Sequence, residues 1–325
     1  MSENIAEEDN SEEVWQHAEL KSKFDGYYEQ VLAPFLKQKE DFRLKCVGQF
    51  WFFVWLSLFL LPMTGLVIYT FNKYTHSSIS WSVLVVLAVV MFFVIRQPHK
   101  KYKQQIKNDS MELFAKFFDG FRYRNGQPIN QKLMEMSLIF PKYDEITAQD
   151  AFFGKYADTM VTICEQTLKA VKMTKGKRNE KTVFQGIAVE LDMAKPFKAQ
   201  TIVLKSGGLF GKAKTFEGMT RFKPDDSISN KYFEVYTGDI EEARNLLLPA
   251  FVKHLLKLKE AYKAKSIQIG FYSNRVLIGI ETREDMFEPC EFFKTHLNKD
   301  KLDEIFEQFW AVFCIVHILK FNQTM

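Results

Sequence analysis

The sequence predicts an α+β protein: an N-terminal α-helical membrane hairpin with flanking amphipathic helices, then a mixed domain of mostly antiparallel strands and two long helices. Two uncharged runs, residues 47–71 and 79–95, carry the first half of that reading. At about 1.5 Å per residue they reach roughly 37 and 26 Å, against a hydrocarbon core of about 30 Å. The second half rests on the chain beyond residue 144. There the apolar residues fall into short runs of strand length that are grouped together, the α+β pattern and not the βαβ one.

Taken in order, residues 1–11 read as an acidic disordered tail. Residues 12–121 read as a helical stalk holding the hairpin, and 122–325 as a cytosolic α+β domain. From Glu12 the apolar positions Trp15, Leu20, Phe24, Tyr27, Tyr28, Val31, Leu32, Phe35 and Leu36 recur at three- and four-residue spacing. Gly26 and Pro34 interrupt the pattern, so the helix is expected to kink there. Its polar face mixes acids and bases, which favours packing on the folded domain over lying in the lipid interface. Residues 72–78 form a polar turn between antiparallel spans, and 103–121 a second aromatic-striped helix with Ile106, Met111, Phe114, Phe117, Phe118 and Phe121. Pairing the two stripes would bury both without help from elsewhere.

Residues 122–144 contain one Gly and two Pro and lead into the domain. Strands are expected at 160–173, 183–191, 199–204 and 232–236, with turn residues at 176–179 between the first two. Residues 239–261 read as one helix, opened by Asp239 with Glu242 three residues on, the capping-box arrangement. A hairpin comes next at 266–272 and 275–282 around Ser273-Asn274, then a last helix at 299–321.

Charge adds orientation. Residues 1–20 hold seven carboxylates and no Lys or Arg, whereas residues 96–107 hold five Lys or Arg and no acid. Lys37, Lys39, Arg43 and Lys45 precede the first span, and Arg96, Lys100, Lys101 and Lys103 come after the second, while the connecting turn has only Lys73. Both termini are therefore expected on the cytoplasmic side of an inner (cytoplasmic) membrane, in a multi-pass protein. A charged fraction of 26% excludes a polytopic transporter. The four cysteines show no CxxC spacing and would face a reducing cytosol, so structural disulfides are not expected.

Chemistry is sought and mostly not found. Residues 206–213 miss the phosphate-loop pattern twice, with Ser206 in place of the first Gly and Ala213 after Lys212. No GxSxG, HExxH or dinucleotide fingerprint is present. Cys314 and His317 stand three apart on a helix, but two ligands are not a metal site, and no catalytic residue, metal or cofactor is assigned. Four polar positions remain candidates: Asp150, Asp239, Arg244 and His254. The carboxylates Asp144, Glu145 and Asp150, like Asp239, Glu241 and Glu242, read most simply as stabilising helix N-termini. His254 lies on an apolar helix face, where a hydrogen-bonded histidine is the plainer reading than a base.

The lysines point to anions. Lys172, Lys175, Lys177, Arg178 and Lys181 crowd one hairpin, and Lys205, Lys212, Lys214, Arg221, Lys223 and Lys231 punctuate a long irregular loop. Of these, Lys175, Lys177, Arg178, Lys212 and Lys214 are the candidates for contact with a membrane surface or another anion, worth about 1 kcal/mol per well-placed cation. A net charge of +4, with aromatics on helical apolar faces, argues against nucleic acid.

A set of short motifs in consistent order carries a resemblance. They are Tyr28, Pro34, Glu40 and Arg43; Phe140-Pro141, Tyr143-Asp144, Asp150 and Gly154; Val183-Phe184-Gln185-Gly186; Phe233-Glu234-Val235-Tyr236; Asp239, Glu242-Ala243-Arg244 and Leu248-Pro249-Ala250-Phe251; and Phe287-Glu288. With these the chain resembles a bacterial family of uncharacterised membrane proteins that have two N-terminal spans and a cytosolic domain of unknown function. Leu248 departs from the Thr expected before the Pro. The resemblance implies a shared architecture, no established activity, and an association with LemA-like membrane proteins. The expected function is a membrane-anchored non-enzymatic module binding a partner protein or the membrane surface. The alternative is a membrane-associated enzyme acting on a lipid-derived or small phosphorylated substrate. The lipid bilayer is the one partner that composition itself implies, and homo-oligomerisation through the uncharged hairpin stays open.

Overall fold

The computed structural model describes residues 2–75, 81–174, 176–206, 215–224, 231–288, 292–294 and 299–324. They divide into two compact units: Met1–Gly26, Met111–Phe287 and Asp300–Met325 in the first, Tyr27–Ser110 and Glu288–Lys299 in the second.

The second unit holds the hairpin. Helix α1 (Ser2–Tyr27) continues through a π-helical turn at Tyr28–Leu32 into α2 (Ala33–Thr75). The expected kink is thus one widened turn, in which the Ala33 N–H bonds back to Tyr28 O, five residues away, just before Pro34. The backbone is helical from Ser2, ten residues before the periodicity starts. It also runs on to Thr75, so the first four residues of the expected polar turn are helical; residues 76–80 lie outside the described residues. Helix α3 (Ser82–Phe117) is the second helix long and apolar enough to cross a membrane. Within the apolar windows of the two span helices only 6% and 11% is buried, so neither is the core helix of a soluble protein. Trp51, Phe52, Trp55, Leu58 and Phe59 of α2, and Val85, Val86, Phe92 and Phe93 of α3, are exposed. The spans approach closely at Gly65, where an added Cβ would stand 3.2 Å from the Leu84 side chain. Beyond the spans, Arg43 donates to both Glu40 and Phe292 O (3.1 Å), Lys39 meets Asp109 at 3.3 Å, and Cys46, Tyr102, Ile106 and Phe292 form a small core.

The first unit is built on one nine-stranded antiparallel sheet. Its strands are β1 (Arg122–Asn125), β2 (Glu145–Tyr156), β3 (Thr159–Thr174), β4 (Lys177–Asp192), β5 (Thr201–Lys205), β6 (Thr220–Phe222), β7 (Phe233–Thr237), β8 (Ser266–Tyr272) and β9 (Arg275–Glu281). Their order is β1-β2-β3-β4-β9-β8-β5-β7-β6. Helices α4 (Gln131–Ser137), α5 (Ile240–Leu246), α6 (Pro249–Ala261) and α7 (Asp300–Thr324) complete it. The α+β class is as the sequence predicts.

Both faces of the sheet are covered, which is why β8 and β9 read as near-continuous apolar runs. One face carries Ala151, Cys164, Leu168, Ala188, Ile202 and Leu204 against Met134 and Ile139 of the α4 region. Gly270 permits this: an added Cβ would stand 2.7 Å from Ser137 O. On the helical side an aromatic cluster gathers Phe24, Phe114, Phe118, Phe152, Phe306, Phe309 and Phe313, with Phe118 stacked on Phe309 at 5.2 Å and Phe24 on Phe306 at 4.9 Å. The two aromatic stripes do meet, since Phe24 touches Phe114 and Phe117, but α7 shares the burial that the spacing assigns to the stripes alone. Helix α1 is also tied to α7 by Lys21–Asp303 (2.5 Å) and His17–Glu307 (2.9 Å).

Three local readings need correction. Residues 239–261 are two helices, because Pro249 opens α6 at its first turn and holds Leu248 extended (ψ 150°). The β3–β4 hairpin is longer than expected and Thr174 pairs with Lys177 around a turn holding Gly176 at φ +73°, so Lys177 and Arg178 are strand residues. Finally, β2 occupies a stretch that was expected to carry no strand. Gln149 and Asp150 form a bulge opposite Glu165, since Ala148 pairs with Gln166 and Ala151 with Cys164, and the bulge erases the alternation that would reveal the strand.

Candidate functional site

Two clusters of charge lie in the sheet unit. The first is acidic. The β2 bulge turns Asp150 inward, and oxygens of Asp150, Glu165 and Asp285 lie within 4.8 Å of one another, with the first two residues buried. Tyr123 O–H donates to Asp150 at 2.6 Å and the Met286 N–H to Glu165 at 3.3 Å. Three hard carboxylate oxygens are what a divalent cation would use; the two donors answer part of the same negative charge from within the fold. Beneath them the Cys164 thiol is pushed up to about 12 by burial, with the charges of Asp150 and Glu165 adding to the effect. Such a thiol is inert.

The second cluster is basic and open. At the end of β5, β7 and β8, a hollow of about 150 Å³ is lined by Lys205, Ser206, Lys231, Tyr232, Phe233, Lys259, Lys265, Ser266 and Ile267. Lysine residues come to it from one strand end, from two residues before β7, from α6 and from the residue before β8, because β5 pairs with both β7 and β8. Lys231 Nζ and Lys259 Nζ stand 5.4 and 5.5 Å from the Tyr232 ring centre, within cation–π range. Behind the lining, Glu281 accepts from Lys265 Nζ at 2.6 Å and from Ser266 Oγ at 2.7 Å. Burial works to raise the Glu281 carboxyl, but these two hydrogen bonds and the charges of Lys265 and Lys205 hold it below its ordinary value. A neighbouring hollow of about 380 Å³ shares Ser206 and Phe233 and adds Arg221, Lys223 and Glu234, with Arg221 and Glu234 paired at 3.2 Å.

A third cavity, of about 290 Å³, lies among α1, α6 and α7 and is lined by His17, His254, Lys257, Glu307, Trp310 and Cys314, with two alanines.

The residues proposed from the sequence fall apart from one another. Asp239 caps α5, its Oδ1 accepting from the Glu242 N–H at 3.0 Å, as the motif predicts. Asp150 does not stabilise a helix: it is a buried strand residue, and the helix-terminus reading of Asp144, Glu145 and Asp150 is corrected accordingly. From β2 to β7 is six strand spacings, roughly 29 Å along the sheet. Arg244 meets Glu241 at 3.4 Å on the surface of α5, and His254 is buried in the wall of the third cavity. Cys314 shares that wall, whereas His317 bonds the Tyr156 hydroxyl at 2.9 Å. Lys177 is exposed, while Arg178 pairs with Glu145 and with Glu180 (3.1 Å). Lys175, Lys212 and Lys214 lie outside the described residues, as do Cys290, His76 and His296. Cys46, Cys164 and Cys314 are buried and form no disulfide among the described residues. Sequence reasoning singled out Lys205 and Lys231 as loop cations but had no signal for Lys259 and Lys265, which reach the hollow only through tertiary pairing.

Comparison with known proteins reaches part of this unit. No curated protein matches the chain. Among solved structures, the crystal structure of the mycobacterial trehalose monomycolate transport factor A, TtfA, is similar at 12% identity and a TM-score of 0.37, covering 66% of this chain and 96% of that one, too loose a likeness to carry an argument. Residues 182–321, which contain the basic hollow and its neighbour, match a family described as "Protein of unknown function (DUF3137)".

Proposed function

We propose that this chain is a multi-pass protein of the inner (cytoplasmic) membrane, both termini cytoplasmic, whose folded domain is a non-enzymatic module that binds a partner protein or the membrane surface. The observation that carries the reading is the pair of long apolar helices whose side chains are turned outward, with 6% and 11% of their apolar windows buried. The Lys and Arg residues flanking both spans support the orientation. Separation of Asp150 and Asp239 by about six strand spacings supports a binding role over acid–base catalysis by those two carboxylates.

Reporters fused after Asn72 should report outside, and reporters after Gln104 inside. Affinity capture of the full chain from gently solubilised membranes should recover a stoichiometric partner, or binding that depends on lipid composition. A clean monomer with neither property overturns the binding role, and a cytoplasmic signal from the Asn72 fusion overturns the topology.

A further inference from the structure

We propose that the hollow lined by Lys205, Lys231, Lys259 and Lys265 is a binding site for the phosphate group of a phosphate ester, with the neighbouring hollow taking the esterified part. The proposal deepens the membrane-surface reading if the ester is a lipid headgroup, and stands apart from it if the ester is soluble.

Four lysines line a hollow of about 150 Å³, and no carboxylate is among the described lining residues. Like charges brought together repel, so the arrangement is most stable when an anion occupies the centre. Lysine suits this role as a compact point charge with three donors, and a phosphate offers several acceptor oxygens for it. Two of the cations have their positions restrained: Lys265 by its 2.6 Å bond to Glu281, and Lys259 by the Tyr232 ring, whose centre is 5.5 Å from its ammonium. The same ring restrains Lys231 at 5.4 Å, so less freedom is lost on binding.

Size and continuity narrow the ligand. The hollow admits one phosphate-sized group and not a backbone track, and Tyr232, with two ammonium groups near its ring, is poorly placed to stack a base; both points argue against nucleic acid. A second hollow of about 380 Å³, which shares Ser206 and Phe233 with the first, lies beside the Arg221–Glu234 pair. That pair presents a donor and an acceptor together, which is the chemistry that recognises hydroxyl groups. A phosphate ester of a small polyol fits both hollows, whether free or as a lipid headgroup.

The test uses the full chain in nanodiscs of phosphatidylcholine, with lysine acetylation read residue by residue by mass spectrometry. Millimolar glycerol 3-phosphate should protect Lys205, Lys231 and Lys259 several-fold, while sodium chloride at matched ionic strength should not. Protection that appears instead on replacing part of the lipid by phosphatidic acid assigns the headgroup as the source. The paired change Lys231→Gln and Lys259→Gln should weaken protection of Lys205 at least about tenfold, and Lys155→Gln, exposed and outside the hollow, should leave it unchanged. The proposal is overturned if neither probe protects more than chloride does, or if the paired variant, folded by circular dichroism, is protected as well as the parent. Incorporation into the nanodisc reads the anchor separately: a chain that fails to incorporate yet is protected in detergent keeps the site and loses the membrane reading.

Discussion

At the β2–β3 end of the sheet three carboxylates converge on one point, with two of them buried, whereas at the β5–β8 end four lysines surround an open hollow. Each assembles like charges, and the protein treats them differently. The acids are turned inward by a strand bulge and met by a tyrosine hydroxyl and a backbone N–H. The lysines are left at the surface, where one of the four is hydrogen-bonded to a carboxylate among the described contacts and a second lies within reach of its charge. Burial forces a fold to answer its charges internally; exposure leaves the answer to solvent or a ligand. The first cluster should therefore act on stability, and the second on binding.

The largest effect expected is at Asp150. Asp150→Ala removes a buried side chain and leaves the Tyr123 hydroxyl without its 2.6 Å acceptor. A loss of about 2–4 kcal/mol in denaturant unfolding is expected. An unchanged midpoint would break the contrast, since the acidic cluster would then be as dispensable to the fold as a surface one. Tyr123→Phe deletes only the donor and should cost less, about 1–2 kcal/mol. If the two variants cost the same, the hydroxyl and not the carboxylate dominates the site.

How far the two ends were legible in the sequence depends on the range of the interactions that built them. The last helix rests on a 3.6-residue period, which is local, and its position was readable to within a few residues. Asp239 could be placed because a cap is a three-residue affair. Asp150 could not: a bulge at residues 149–150 puts Asp150, Ala151 and Phe152 all in buried positions, and a strand without alternation looks like a loop. The break at Leu248–Pro249 was written in the proline, yet the apolar period runs through it from α5 to α6 and hides it. The lysine hollow was half visible. Lys205 and Lys231 stand in a basic loop, but Lys259 and Lys265 join them only because β5, first in sequence, pairs with β8 some sixty residues on.

A smaller and pH-dependent effect sharpens the comparison at Glu281, the carboxylate behind the lysines. Its folded value lies below the ordinary 4.5, so its contribution is fully present above that value and is lost as pH falls through the folded one. Glu281→Gln should flatten that part of the acid limb by lowering stability near neutral pH, with parent and variant converging as pH falls below the folded value. An acid limb identical to the parent's would show that Lys265 and Ser266 do not select the ionised form.

The smallest effect is expected where the proposed function is greatest. Lys231→Gln and Lys259→Gln together remove two cations from a group of four, and each is held only by contact with the Tyr232 ring among the described interactions. Relief of like-charge repulsion offsets the lost cation–π attraction, so stability should stay within about 0.5 kcal/mol of the parent. The sign should depend on salt. At low ionic strength, where repulsion reaches about 30 Å, the variant should melt slightly higher than the parent, and the difference should vanish near 0.15 M salt, where the reach falls to about 8 Å. Melting curves at the two salt concentrations decide it. A variant that is clearly destabilised at both would mean that the lysines hold the fold together as the acids do, and the distinction between the two ends of the sheet would fall.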